Sequence, residues 1–286
     1  MRAASFYFSD HDISRAVSAT ATILAITPEY DELVFGLYDG FAIDRDLLRR
    51  SLSEDRRAGI AMLRHEVATT PQDAGETWAW LKNRGWASDQ LAAEYVNHLL
   101  QSQDRRAAFV IWTDWVGRRC PDFPHANRVF NGRFEYESTG AAFDWNSQPI
   151  AGVEVAREEH SGRTGATALK ITFSGTDNID FAHVSQRVNV NQGRYAFSAL
   201  LRSEDLTSDQ GVRFRISDAD RPERLNVTTD QVLGTAGWKR VEAMVAVPPG
   251  SELLNVQVHR APSMKFDNKI AGSVWIDDVK FSRIGE

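Results

Sequence analysis

Apolar residues follow two different periods along this chain, and the change comes between residues 121 and 131. Before it the spacing is helical. Over 13–26, Val17, Thr20, Ile23 and Leu24 stand three or four apart and make one stripe. Asp12 or Ser14 can cap the start of that helix, and Pro28 opens the next one after Thr27. The same spacing predicts helices over 29–38, 53–69, 73–84, 88–102 and 105–118. Links as short as Thr69-Thr70-Pro71 and Ser102-Gln103-Asp104 force neighbouring helices antiparallel. Residues 1–121 are therefore expected to form an all-α domain of stacked hairpins.

After Asn131 the period is two. Leu169, Ile171 and Phe173 alternate with polar residues, as do Tyr195, Phe197, Ala199 and Leu201. Val212-Phe214-Ile216, Val241-Ala243-Val245-Val247 and Leu254-Val256-Val258 repeat the pattern between Gly/Asn/Asp-rich turns. Short alternating strands with no helix between them predict an all-β sandwich or jelly roll over 122–286. The class as a whole is thus α+β in two domains. In the last strand Val274 and Ile276 share one phase while Val279 and Phe281 share the other. That slip predicts a β-bulge at Asp277-Asp278, beside which carboxylates could hold a hard cation.

Composition narrows the partners. A net charge of −6 with interspersed signs gives no basic face for nucleic acid. No stretch is long and apolar enough to span a membrane, and residues 1–6 carry no long apolar run of the secretory kind. The single Cys120 excludes an internal disulfide framework and fits either a reducing compartment or a secreted protein without disulfides. No phosphate loop, nucleophile elbow, dinucleotide fingerprint or zinc-protease helix is present, so no catalytic residues are assigned and the expectation is a non-enzyme.

Two resemblances add to this. Ala4, Tyr7, Ala16 and Pro28 stand at offsets that resemble tetratricopeptide repeats, with a looser second copy in Leu99, Asp104, Ala108 and Pro121. In the β half, Asn131-Gly132-Arg133-Phe134-Glu135, Gly165 to Leu169, Gln186, Gly193 to Tyr195, Trp238 and Ile276-Asp277-Asp278-Val279 occur in an order that resembles the xylanase-associated carbohydrate-binding modules of families 4, 9 and 22. That resemblance spans 131 to 284. It implies a jelly roll pinned by a structural calcium, held by the Glu135 side chain, the Arg133 carbonyl, the loop from Thr164 to Thr167, and Asp277. Thr164 stands where some relatives carry an acid.

The resemblance also implies a polysaccharide or oligosaccharide ligand. Sugars are held by aromatic faces and by polar groups reaching hydroxyls. The aromatics singled out are Trp145, between the first strands, and Phe181, with His183, Gln186, Arg213 and Gln257 as the polar groups. Trp145 equally suits an anchor against the helices, and Trp238 and Trp275 suit packing. Glu158-Glu159-His160 reads as a solvated turn. The tryptophans of the helical half, Trp78, Trp80, Trp86, Trp112 and Trp115, suit a helical core or a groove for a protein partner. The expected function is non-catalytic glycan recognition by the sandwich, with the helices holding a protein, in periplasmic or extracellular exopolysaccharide or cell-surface biology. The alternative is an assembly scaffold that no longer binds sugar, and after it an accessory part of a polysaccharide hydrolase.

Overall fold

The computed structural model describes residues 2–117, 119–159 and 167–285. Eight helices come first: α1 (Arg2–Ser9), α2 (Ile13–Ile26), α3 (Asp31–Gly40), α4 (Arg45–Ser51), α5 (Arg56–Thr69), α6 (Pro71–Asn83), α7 (Asp89–Gln101) and α8 (Arg105–Val116). Four of them begin after an aspartate whose carboxylate accepts a backbone N–H three residues on: Asp12 from Arg15, Asp44 from Leu47, Asp55 from Ala58 and Asp104 from Ala107. Each such cap satisfies one of the orphan donors of a first turn. The helices α1 and α4 carry too few residues for a periodic stripe to announce them.

The chain forms two compact units, Met1–Leu91 and Ala92–Glu286. In the first, α1 pairs with α2 and α5 with α6. Gly59 in α5 lets the α6 indole of Trp80 approach closely, since a β-carbon there would stand 2.8 Å from the ring. The sequence places the division at 121/122, whereas the compact units divide within α7. The reason is aromatic. Trp112 of α8 meets Phe130 edge-on at 5.2 Å, and Phe109 meets Phe143 at 5.7 Å, so α8 packs with the sandwich.

The second unit carries two five-stranded antiparallel sheets. One has the order β1 (Asn146–Ser147), β4 (Phe181–Asn189), β9 (Leu253–Arg260), β6 (Arg213–Asp218), β7 (Asn226–Thr228). The other runs β2 (Val153–Glu159), β3 (Thr167–Ser174), β10 (Ala271–Arg283), β5 (Gly193–Leu206), β8 (Gly234–Val247). Inward positions of both sheets, such as Val184, Phe214, Val256, Ile171, Phe197 and Ile276, close one apolar core.

The two ends of the β half meet. Val279 N–H donates to the Gly132 carbonyl and Arg128 N–H to the Phe281 carbonyl. Asn127 accepts from Phe281 N–H at 2.9 Å and donates to the Val279 carbonyl at 3.1 Å. Gly132 is required here, because a β-carbon would fall 2.1 Å from the Val279 oxygen. The register of β10 on β5 slips between Asp277 and Lys280, the predicted bulge, with Asp278 at φ +48°.

Candidate functional site

Strand alternation decides which side chains the β1-β4-β9-β6-β7 sheet shows to the outside. With Val184, Val188, Val256, Val258, Phe214 and Ile216 turned into the core, the opposite phase is polar except for Leu253 at the start of β9. It presents Ser185, Arg187 and Asn189 on β4, Asn255, Gln257 and His259 on β9, and Arg213, Arg215 and Ser217 on β6. Register sets them in rows. Ser185 stands beside Gln257, which stands beside Arg215, and that beside Thr228. One pleat along, Arg187, Asn255, Ser217 and Asn226 form the next row, and Arg213 lies beside His259.

These groups are tied to each other. Gln257 donates to the Ala182 carbonyl at 2.7 Å and accepts from Arg215 at 2.5 and 3.1 Å. Arg213 donates to Gln210 at 3.2 Å and to Gln231. Among the described residues, none of Arg187, Arg213 and Arg215 has a carboxylate within ion-pair distance. Asp180 reaches His259 at 3.7 Å from the strand end. Burial, and then the Arg215 guanidinium, nevertheless hold the His259 imidazole below its ordinary pKa, with Arg213 adding to the effect.

A cleft of about 520 Å³ continues this face past β1. Ser185, Arg187, Ser147 and Gln148 line one side, and Asn97, Gln101, Gln103 and Arg105 of the α7–α8 region line the other. Asn97 fixes that wall by donating to the Gly140 carbonyl and accepting from Ala142 N–H. Arg105 pairs with Asp220 at 2.7 Å. Where the loop 261–270 leaves β9, Ser263 ties it to Asp209 and Asn178, and the Phe266 ring is wholly exposed.

Three of the residues predicted as ligand contacts reach or border this face: His183, Arg213 and Gln257, all half-buried. Three do not. Trp145 is 4% exposed and Phe181 0%, which leaves neither ring a free face for a sugar. Asp144 explains the first: its buried carboxylate accepts from Thr139 and Trp145 N–H, and the turn this makes tucks the indole against Phe134. Trp145 thus anchors within the sandwich core. Phe181 lies before a register shift in β4 that sets it against Phe173. Gln186 follows the inward phase, where its amide holds both the N–H and the carbonyl of Phe130 at 2.9 Å. Sequence reading missed Arg187, Arg215, Asn255 and Phe266. The alternation that marked the core marks the first three as well, one residue out of phase.

Trp238 is 37% exposed, and Trp275 lies on the outside of the other sheet, between Lys170 and Arg202 at 4.9 and 4.7 Å. Its indole donates to Glu158, which also pairs with Lys170 at 3.1 Å. Glu158 is therefore a surface ion-pair partner, and His160 lies outside the described residues.

Of the expected calcium ligands, Thr164 lies outside the described residues. Glu135 shares a pocket of about 180 Å³ with Asp278, and Asp277 is a buried carboxylate at the bulge, next to the Gly132–Val279 pairing. Thr167 donates to the carbonyls of Phe134, at 2.7 Å, and Arg133, at 3.4 Å. The Arg157 guanidinium takes the next carbonyls, of Phe134 and Glu135, at 2.7 and 2.9 Å. Among the described residues no three His, Cys, Asp or Glu gather as a metal site. A hard cation here would have to be held by oxygen alone, from the Glu135 and Asp277 carboxylates and nearby carbonyls; the Asp278 carboxylate is taken by Lys280 at 2.8 Å.

In the helical unit a groove of about 1030 Å³ lies along α3 and α5, with Phe35, Ile60 and Leu91 apolar and Arg56, Arg57 and Arg64 cationic. Arg57 is paired with Asp31.

No family model matches the chain, and no curated protein does. Among solved structures, the xylan-binding domain of a Paenibacillus barcinonensis xylanase, a family 22 module, is 15% identical over 57% of this chain and 97% of its own, with a TM-score of 0.38. A family 61 module in complex with β-1,4-galactotriose is 20% identical over 55% and 99%, TM-score 0.37. A family 4 module is 16% identical over 55% and 99%, TM-score 0.38.

Proposed function

We propose that this chain is a non-catalytic glycan-binding protein whose ligand lies on the outer face of the β1-β4-β9-β6-β7 sheet. The observation that carries the reading is the composition of that face. Apart from Leu253 at the start of β9, the outward positions of three adjacent strands are amide, hydroxyl, imidazole or guanidinium groups, and the face runs into a cleft lined mainly by polar residues. Sugar hydroxyls both donate and accept, so they are met by side chains of both kinds already held in place. Trp145 and Phe181 are buried, and an exposed aromatic ring, Phe266, lies in the loop that follows β9. Hydrolysis of a glycosidic bond needs two positioned carboxylates. The acids by this face are instead Asp180, beside His259, and Asp220, paired with Arg105.

The setting this suits is periplasmic or extracellular exopolysaccharide or cell-surface biology, with the α3–α5 groove as the place for a protein partner. Affinity electrophoresis against soluble polysaccharides tests the glycan reading. Retardation of the wild type, weakened about tenfold by Gln257→Ala through lost hydrogen bonds, is the expected result. Unchanged mobility in every gel would leave an assembly scaffold.

The clasp between the ends of the β half is proposed to hold a structural calcium through Glu135, Asp277 and the Arg133 carbonyl, with Thr167 alongside. Bound, the ion would neutralise two carboxylates and tie the first segment to the last strand. Saturating calcium is expected to raise the melting temperature by about 5 °C, with EDTA reversing it, because only the native state gathers the ligands. Asp277→Asn should abolish the response. A flat calcium response in the wild type would leave the clasp to its backbone hydrogen bonds.

A further inference from the structure

The geometry points to a carboxylated glycan, one containing uronic acid residues, as the ligand of the β4-β9-β6 face. This rests on the reading just given and names the chemical class of its ligand.

Three guanidinium groups stand on one sheet face: Arg213 and Arg215 on β6 and Arg187 two strands away on β4. The register puts Arg215 in the row of Ser185 and Arg187 in the row of Asn255 and Ser217. With strands about 4.8 Å apart and about 3.4 Å per residue along them, the backbone of Arg187 is about 12 Å from that of Arg215 and about 17 Å from that of Arg213. That is a spread of cations across the face rather than a single point charge.

Arginines on a protein surface usually find carboxylates of their own chain, as Arg45, Arg49, Arg57, Arg105 and Arg224 do here. Two of these three find only amides among the described residues: Arg213 takes Gln210 and Gln231, and Arg215 takes Gln257, while Arg187 lines the cleft. The Arg213 Nε is buried with no hydrogen-bond partner, and so is the His259 Nδ1 beside it. Neutral partners orient a guanidinium without cancelling its charge.

A neutral glycan would leave that charge unanswered. A carboxylate answers it with charge-assisted and, for arginine, bidentate hydrogen bonds. The chain as a whole carries −6, so attraction to a polyanion cannot come from its net charge and must be local. Among the acids near the face, Asp220 is taken by Arg105, and Asp180 stands at the far end by His259. Asp220 lines the same cleft as Arg187, but its carboxylate is held by Arg105 at 2.7 Å.

Polygalacturonate and the same polymer with its carboxyls methyl-esterified give a matched pair differing only in charge. Alginate is a second acidic probe, and xylan and galactan are neutral ones. Titration calorimetry with the full chain is expected to show binding to the acidic polymers that weakens at least tenfold on esterification. Each of Arg187→Gln and Arg215→Gln should weaken it by about tenfold, the share of a charge-assisted hydrogen bond. Raising salt to about 0.3 M should weaken it further. Unchanged melting temperatures would show both variants folded. Equal binding to esterified and free polymer, or arginine variants that bind acidic polymers as the wild type does, would overturn this inference. Binding to xylan or galactan in preference to the acids would overturn it while leaving the glycan-binding reading standing. No binding to any polymer would remove both.

Discussion

Arg260→Ala is expected to destabilise the sandwich by on the order of 4 kcal/mol, a large share of the stability of an ordinary domain. Arg260 is fully buried, yet its guanidinium meets no carboxylate among the described residues. It is satisfied by oxygens instead: Nη1 donates to the Asn178 side chain at 2.9 Å and to the Ile179 carbonyl at 2.5 Å. Nη2 donates to Ser208 at 3.1 Å and to the Asn268 carbonyl at 2.9 Å, and Nε to the Gln210 carbonyl at 3.2 Å. One side chain thus ties three loops to the end of β9. Burial holds its pKa below the usual arginine value, with Asp209 and Asp180 acting weakly the other way. Truncation would leave five acceptors without their donor and a cavity beneath them. Arg260→Lys keeps the charge but loses the planar fork, and should fall between alanine and wild type. Urea denaturation measures this directly. A loss under about 1 kcal/mol for the alanine variant would mean that the loops hold themselves.

The second large effect is a pH dependence in the helical unit. Glu66 in α5 is fully buried, and burial pushes its carboxyl up to about 7. Arg45 of α4 is 3.7 Å away and offsets this only in part, because Asp39 at 2.6 Å and Asp73 at 3.3 Å share the same guanidinium. Asp39 also holds His65 at 2.7 Å, and the bonds from His65 and Arg45 outweigh its burial and lower its own pKa. For Glu66 the folded pKa lies above the unfolded one. The folded unit therefore keeps a proton that the unfolded chain has released between about pH 4.5 and 7. Stability should fall as pH rises through that window and level off above it, by up to about 3 kcal/mol. Glu66→Gln, neutral at every pH, should flatten the profile and be the more stable form at about pH 8. Chemical denaturation followed by helical circular dichroism reads both. A wild-type profile no steeper than that of the variant would mean Glu66 is ionised and accommodated.

The two periods in the sequence located most of the fold. Helix α2 begins and ends where the stripe of Val17, Thr20 and Leu24 puts it. The slip in phase at Asp277-Asp278 is a bulge, and the first and last segments of the β half meet there. The boundary between compact units was not legible. Trp112 and Phe109 look like any helical stripe until Phe130 and Phe143 are seen against them.

The site shows the same division. Strand parity is local and was enough to expose Arg213 and Gln257. Trp145 and Phe181 depended on a turn and a register shift, and a residue type says nothing about either. An aromatic between polar neighbours looks exposed, yet the Asp144 carboxylate folds the chain back and buries it. Arg260 is the opposite case, an arginine at an inward position of β9 that hydropathy would place outside. Its burial follows from loops far apart in sequence whose carbonyls converge on it.

The central claim is that sugar lies on the polar face of the β4-β9-β6 strands. A crystal structure of the chain soaked with the oligosaccharide of whichever polymer binds tightest tests it most directly. Sugar in contact with Gln257, Arg215 and Arg187 is the predicted result. The same sugar ordered against the β3-β10-β5 sheet or in the helical groove, with that face bare, would contradict it.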